Sequence, residues 1–77
     1  MSKIEELFNI AKLDYNESKV FPVLIVGRDT SNNTYKTYRC EFNSIAPLLN
    51  SIYNNDVWVE FEAILNLEEE FDVARMW

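Results

Sequence analysis

The sequence lacks histidine and contains one cysteine and one glycine among its 77 residues. Without histidine, a Ser–His or Cys–His nucleophilic pair is impossible, and the usual zinc ligands are missing. Gly27 alone cannot form either glycine-rich phosphate-binding fingerprint. Cys40 alone cannot form an intrachain disulfide, so a reducing cytoplasm is the expected location. We therefore expect a non-enzymatic protein without a cofactor or metal ion.

Long apolar segments are also missing. The longest apolar run, 20–26, has seven residues and includes Pro22, so it is too short to cross a membrane. The first residues carry Glu5 and Glu6 and no apolar segment of the signal-peptide type. We expect no membrane association.

Apolar and aromatic residues, by contrast, are abundant. Hydrophobic residues make up 48% of the chain and aromatic residues 14%, which is too apolar for a disordered chain even at a net charge of −6. A chain of this length has room for one core. The sequence predicts a single domain over residues 1–77.

The spacing of apolar residues predicts the first half of the fold. Ser2 and Glu5 have capping-box spacing before a helix over 3–14, whose core-facing residues are Leu7, Phe8 and Ala11. The run 20–26 is apolar on both faces, which is typical of a central strand that begins near Pro22. The polar cluster 29–33 predicts a turn.

Alternation and capping signals predict the second half. A return strand covers 34–42 and has Cys40 on its core-facing side. A short helix begins after Asn43 or Ser44 and ends at 54–56, and a third strand covers 57–65. Asn66 is expected to cap a last helix over 67–77.

These elements have the order αββαβα and predict an α+β fold. The second helix can carry the chain across the first strand, so that the third strand lies antiparallel beside it. The result is a three-stranded antiparallel sheet of order 2-1-3 with helices packed against it.

Charge is distributed unevenly along the chain. Residues 1–40 hold six basic and five acidic side chains, whereas residues 41–77 hold Arg75 and eight acids. Trp58 lies two residues before Glu60 and four before Glu62, and strand alternation predicts that all three share a face. We expect the acids of residues 41–77 to converge on one outward patch.

Each of these residues also has a purely structural explanation. Trp58 can pack beneath a helix, and Glu60 and Glu62 can form a solvated strand face. The run Glu68–Glu70 can stabilise the start of the last helix through its dipole. Cys40 can be a buried apolar residue or a reactive thiol.

The functional interpretation is an acidic protein-binding surface with an aromatic anchor. Such a surface fits the basic groove of a larger partner, such as a nuclease or other nucleic-acid-binding enzyme, and masks that groove by mimicking nucleic acid. The expected partner-binding residues are Trp58, Glu60, Glu62, Glu68, Glu69, Glu70 and Asp72. We expect no direct binding of nucleic acid, because acids outnumber bases thirteen to seven.

In size, acidity and mixed α and β composition, the chain resembles the small phage-encoded inhibitors of bacterial defence systems, such as anti-CRISPR and anti-restriction proteins. The resemblance covers general character and includes no residue-level signature, so it implies a class of partner and assigns no residue a role.

The alternative is a structural or assembly module. In the order 2-1-3, the second and third strands are sheet edges, and exposed edges pair readily with other chains. Self-association through these edges or through an apolar patch, for instance as a homodimer, is the second hypothesis.

Overall fold

The computed structural model describes residues 2–71. The elements are α1 (Lys3–Ser18), β1 (Val23–Asp29), β2 (Thr34–Cys40), a 3-10 turn (Phe42–Ser44), α2 (Ile45–Asn55) and β3 (Val59–Asn66). The strands form an antiparallel sheet of order β2-β1-β3. The α+β class and the order of the three strands are therefore as predicted.

Strand β1 lies at the centre because both of its faces are apolar. Leu24 and Val26 belong to the core cluster beneath α1, together with Phe8 and Tyr15. Val23 and Ile25 belong to a second cluster with Cys40, against which α2 packs through Ile45, Leu48 and Leu49. The sheet is thus covered by one helix on each face.

Helix α1 is four residues longer than predicted. Ser2 caps it as expected, since its hydroxyl accepts a hydrogen bond from the Glu5 amide at 3.2 Å. The helix continues past Asp14 because Tyr15 is buried in the core, one turn beyond Ala11. It ends at Lys19, whose backbone is left-handed and whose amide donates to the Tyr15 carbonyl at 2.7 Å.

The other boundaries differ by a few residues. Strand β1 begins at Val23, just after Pro22, and β2 ends at Cys40. Strand β3 begins at Val59, so Trp58 lies in the preceding turn. Helix α2 follows Ser44, which makes no side-chain capping hydrogen bond.

A register shift interrupts the pairing of β1 with β3. Val26 pairs with Ala63 but Gly27 pairs with Phe61, which leaves Glu62 as an extra residue. A β-carbon built on Gly27 would lie 2.6 Å from Val59 Cγ1. Val59 and Ala63 therefore face opposite sides of the sheet, and the strict alternation predicted for this strand is wrong.

The last predicted helix does not begin where the sequence places it. Residues 67–71 form a turn and an irregular segment, and the remainder of the predicted helix, 72–77, lies outside the described residues. Asn66 accepts a hydrogen bond from the Glu68 amide at 2.9 Å, which favours a turn. The Lys12 ammonium donates to the carbonyls of Leu67 and Glu69, at 3.3 and 2.5 Å, and so occupies acceptors that a helix would use.

Candidate functional site

Two turns meet at one end of the sheet, which we call the hairpin end. One turn joins β1 to β2, and the other, 56–58, joins α2 to β3. Thr30 links them, because its amide and its hydroxyl both donate to the Trp58 carbonyl, at 2.8 and 2.9 Å. The Val59 amide donates to the Asp56 carbonyl at 3.0 Å. The backbone that carries Trp58 is therefore fixed on both sides.

Large apolar side chains on this turn and at the end of α2 are exposed to solvent. Trp58 is 64% exposed, and Val57 and Tyr53 are 72% and 74% exposed. The explanation that Trp58 packs beneath a helix therefore does not apply. We call these three side chains, which lie within six residues of the sequence and stay exposed, the apolar patch.

Glu60 and Glu62 follow Trp58 along β3 and share one base. Arg28 Nε lies 3.1 Å from Glu62 Oε1, and Arg28 Nη2 lies 3.8 Å from Glu60 Oε2. The pairing follows from the register, which places Arg28 opposite Glu60, and from the extra residue at Glu62. Most of the Glu60 side chain remains exposed.

The hairpin end keeps a surplus of negative charge. Its two bases are Arg28 and Lys36. Its acids are more numerous and are Asp29, Asp56, Glu60 and Glu62. Hydrogen bonds from Ser31, together with the nearby Lys36 ammonium at 3.7 Å, lower the pKa of Asp29 and keep it ionised.

The acids of the second half do not converge on one patch within the described residues. Glu68, Glu69 and Glu70 follow the far end of β3. Asn66 lies six positions after Glu60 along the strand, which corresponds to about 20 Å. Glu68 accepts a hydrogen bond from the Tyr15 hydroxyl at 2.9 Å, and this bond raises the pKa of Tyr15.

Asp72, the last residue of the predicted contact set, lies outside the described residues.

The bases of the hairpin region are paired with acids or carbonyl groups. Arg39 Nη1 lies 3.0 Å from Asp14 Oδ2, and Lys36 faces Asp29. A nucleic-acid-binding patch on the β1–β2 hairpin would use these two bases and Arg28, and all three already contact acids.

Cys40 is buried, with a free thiol. Burial raises the pKa of this thiol, which disfavours the reactive thiolate. Within residues 2–71, no three His, Cys, Asp or Glu residues lie close enough together to hold a metal ion. No helix in that range is long and apolar enough to span a bilayer.

A second surface, at the opposite end of the sheet, was not predicted. An open groove of about 570 Å³ lies between the end of α1 and the 3-10 turn. Val20, Phe21 and Phe42 line it and are about half exposed. The sequence signal for this groove was the apolar segment Val20-Phe21-Pro22, which lies between α1 and β1.

Neither a family model, nor a curated protein, nor a solved structure matches this chain. The chain is a small α+β domain with two exposed apolar surfaces, one at each end of its sheet.

Proposed function

We propose that this chain is an acidic, non-enzymatic protein-binding module whose contact surface is the hairpin end. The observation that carries the proposal is the exposed Trp58 on a backbone held by Thr30. An aromatic side chain on a fixed backbone loses little conformational freedom when a partner covers it. Tryptophan and tyrosine are the residue types most often responsible for binding energy at protein interfaces.

The charge of this surface favours a basic partner. The surplus of acids around Trp58 accelerates association with a positive surface and opposes association with an acidic one. Basic grooves that bind nucleic acid are a common positive surface in cells, so the proposed action is to mask such a groove in a nuclease or another nucleic-acid-binding enzyme. The Arg28 contact with Glu60 and Glu62 reduces the charge available, so Trp58 and its apolar neighbours carry more of the binding than the sequence suggested.

The proposal is tested by capture from a lysate of the organism that encodes the chain, followed by elution with short duplex DNA. We expect the immobilised protein to retain a basic protein that the DNA releases. Trp58→Ala should lose this protein. Leu13→Ala removes a comparably exposed apolar side chain from α1 and should retain it. Equal capture by Trp58→Ala, or a captured protein that DNA does not displace, would contradict the proposal.

Self-association remains the second candidate, and the sheet edges give it little support. Strand β2 carries Lys36 and Arg39, and β3 carries the extra residue Glu62, features that protect edges from pairing with other chains. Sedimentation at micromolar concentration separates the candidates. A monomer supports the masking function, and a homodimer that withstands high salt supports assembly.

A further inference from the structure

The groove at the far end of the sheet has a shape and chemistry of its own. It lies about 20 Å along β3 from Glu60, and its walls include Val20, Phe21, Pro22 and Phe42. Its volume, about 570 Å³, is within the range of pockets that hold a small ligand or a few side chains. Val20, Phe21 and Phe42 are each about half exposed.

The backbone that presents Phe21 is strained and braced. Phe21 has a φ of 61°, an unusual value for a bulky residue. Arg39 holds this segment, since its Nε donates to the Phe21 carbonyl at 3.0 Å and its Nη2 donates to the Val20 carbonyl at 2.8 Å. The ring of Phe21 is therefore kept at the groove by a conformation that costs free energy.

The groove also has two carboxylates, Glu41 and Glu68. The Glu41 carboxylate has no hydrogen bond or ion pair within residues 2–71. Glu68 is bonded to Tyr15 but keeps free acceptor positions. Among the described residues that line the groove, Lys19 is the one base, and its ammonium lies 5.4 Å from the centroid of the Tyr15 ring. The described lining thus combines apolar walls with two carboxylates and one ammonium group.

The geometry points to an arginine side chain of a partner protein as the occupant. Arginine combines an apolar stem with a planar cation that stacks on aromatic rings and pairs with carboxylates. Phe21 and Phe42 supply the rings, and Glu41 supplies the unpaired carboxylate. Glu41 is exposed in the free protein, and a purely apolar occupant would cover its carboxylate without giving it a partner. An acidic occupant would be repelled by both carboxylates.

The test is an NMR titration with the peptide acetyl-Gly-Arg-Gly-amide, compared with the same peptide carrying citrulline, the neutral analogue of arginine. We expect the arginine peptide to shift the amides of 19–21 and 41–43 in a saturable manner, with a dissociation constant at least about fivefold lower than that of the citrulline peptide. Equal shifts with both peptides, or shifts from the arginine peptide only at 56–62, would overturn the assignment.

Matched variants test whether the Glu41 carboxylate binds the arginine peptide. Glu41→Gln should raise the dissociation constant of the arginine peptide about fivefold, whereas Glu6→Gln, which neutralises an exposed acid on α1, should leave it unchanged. Equal effects of the two variants would mean that the peptide responds only to net charge, and would overturn the assignment. The groove is independent of the hairpin end, so Trp58→Ala should not change these values.

Discussion

Arg28 lies 3.1 Å from Glu62 and 3.8 Å from Glu60, so one base from the first half of the chain contacts two acids of the second half. The sequence placed those two acids on a negative patch, and the structure neutralises part of their charge. The proposed binding surface therefore consists of Trp58 and its exposed apolar neighbours, with a moderate surplus of negative charge around them. Changing Arg28 tests this description.

Arg28→Ala should strengthen binding to the partner captured by the wild-type protein. The variant leaves Glu60 and Glu62 unpaired, which increases the attraction to a basic surface and steepens the dependence of affinity on salt. Glu60→Gln should act in the opposite direction, with about a two- to fivefold weaker affinity at low salt. Titrations at several salt concentrations measure both effects. Weaker binding by Arg28→Ala with an unchanged melting temperature would show that Arg28 itself contacts the partner.

Gly27→Ala should destabilise the fold. The added β-carbon would lie 2.6 Å from Val59 Cγ1 and 3.3 Å from the Glu60 carbonyl oxygen, and Val59 is β-branched and has few alternative rotamers. Overpacking of this kind costs about 1–3 kcal/mol. Urea denaturation measures the loss. The double variant Gly27→Ala/Val59→Ala should recover part of it relative to Val59→Ala alone. If the single variant is as stable as the wild type, the close approach of β3 to Gly27 is incorrect.

Arg39→Lys should lower the free energy of unfolding by about 1–2 kcal/mol, because lysine cannot reach two carbonyls and a carboxylate together. Asp14→Asn removes only the exposed ion pair and should cost less than about 0.5 kcal/mol. Thermal and urea unfolding of both variants provide the comparison. Equal losses would indicate that the ion pair stabilises the segment 19–22, and that the carbonyl bonds do not.

Asp29 should contribute to the loss of stability in acid. Its pKa is lowered in the folded protein, chiefly by hydrogen bonds from Ser31, so its contribution is present above the pKa of the unfolded chain and disappears as the pH falls through the folded value. Asp29→Asn should therefore be less stable than the wild type at neutral pH, and the difference should shrink below about pH 4. Melting temperatures across pH 2–7 test this, with Glu6→Gln as the control. A difference that stays constant with pH would contradict the assignment.

The elements that could be predicted from the sequence are those fixed by apolar spacing. The central position of β1 follows from apolar residues on both faces, and the start of α1 follows from Ser2 and Glu5. The end of α1 could also have been found, because Tyr15 continues the apolar spacing after Ala11. Gly27 directly follows the apolar run 20–26, and an isolated glycine at that place was a usable signal of a bulge or a close approach.

The remaining features depend on residues far apart in the chain. Lys12 donates to the carbonyls of Leu67 and Glu69, more than fifty residues away, where the sequence predicts the first turn of a helix. The contact of Arg28 with Glu62 requires the register of β1 and β3, including the extra residue. No local pattern encodes either contact. The separation of Glu68 from Glu60, by contrast, follows from the length of β3, and the Asn66 side chain itself favours the turn that follows this strand.

The most direct test of the proposed function is a cross-saturation NMR footprint of the labelled chain bound to its captured partner. We predict that the amides of 56–62 and of Thr30 lose the most intensity, while those around Ile10 and Leu13 on the outer side of α1 keep theirs. A footprint centred on α1 or on the β2 edge, with the amides of 56–62 unaffected, would contradict the assignment of the hairpin end as the binding surface.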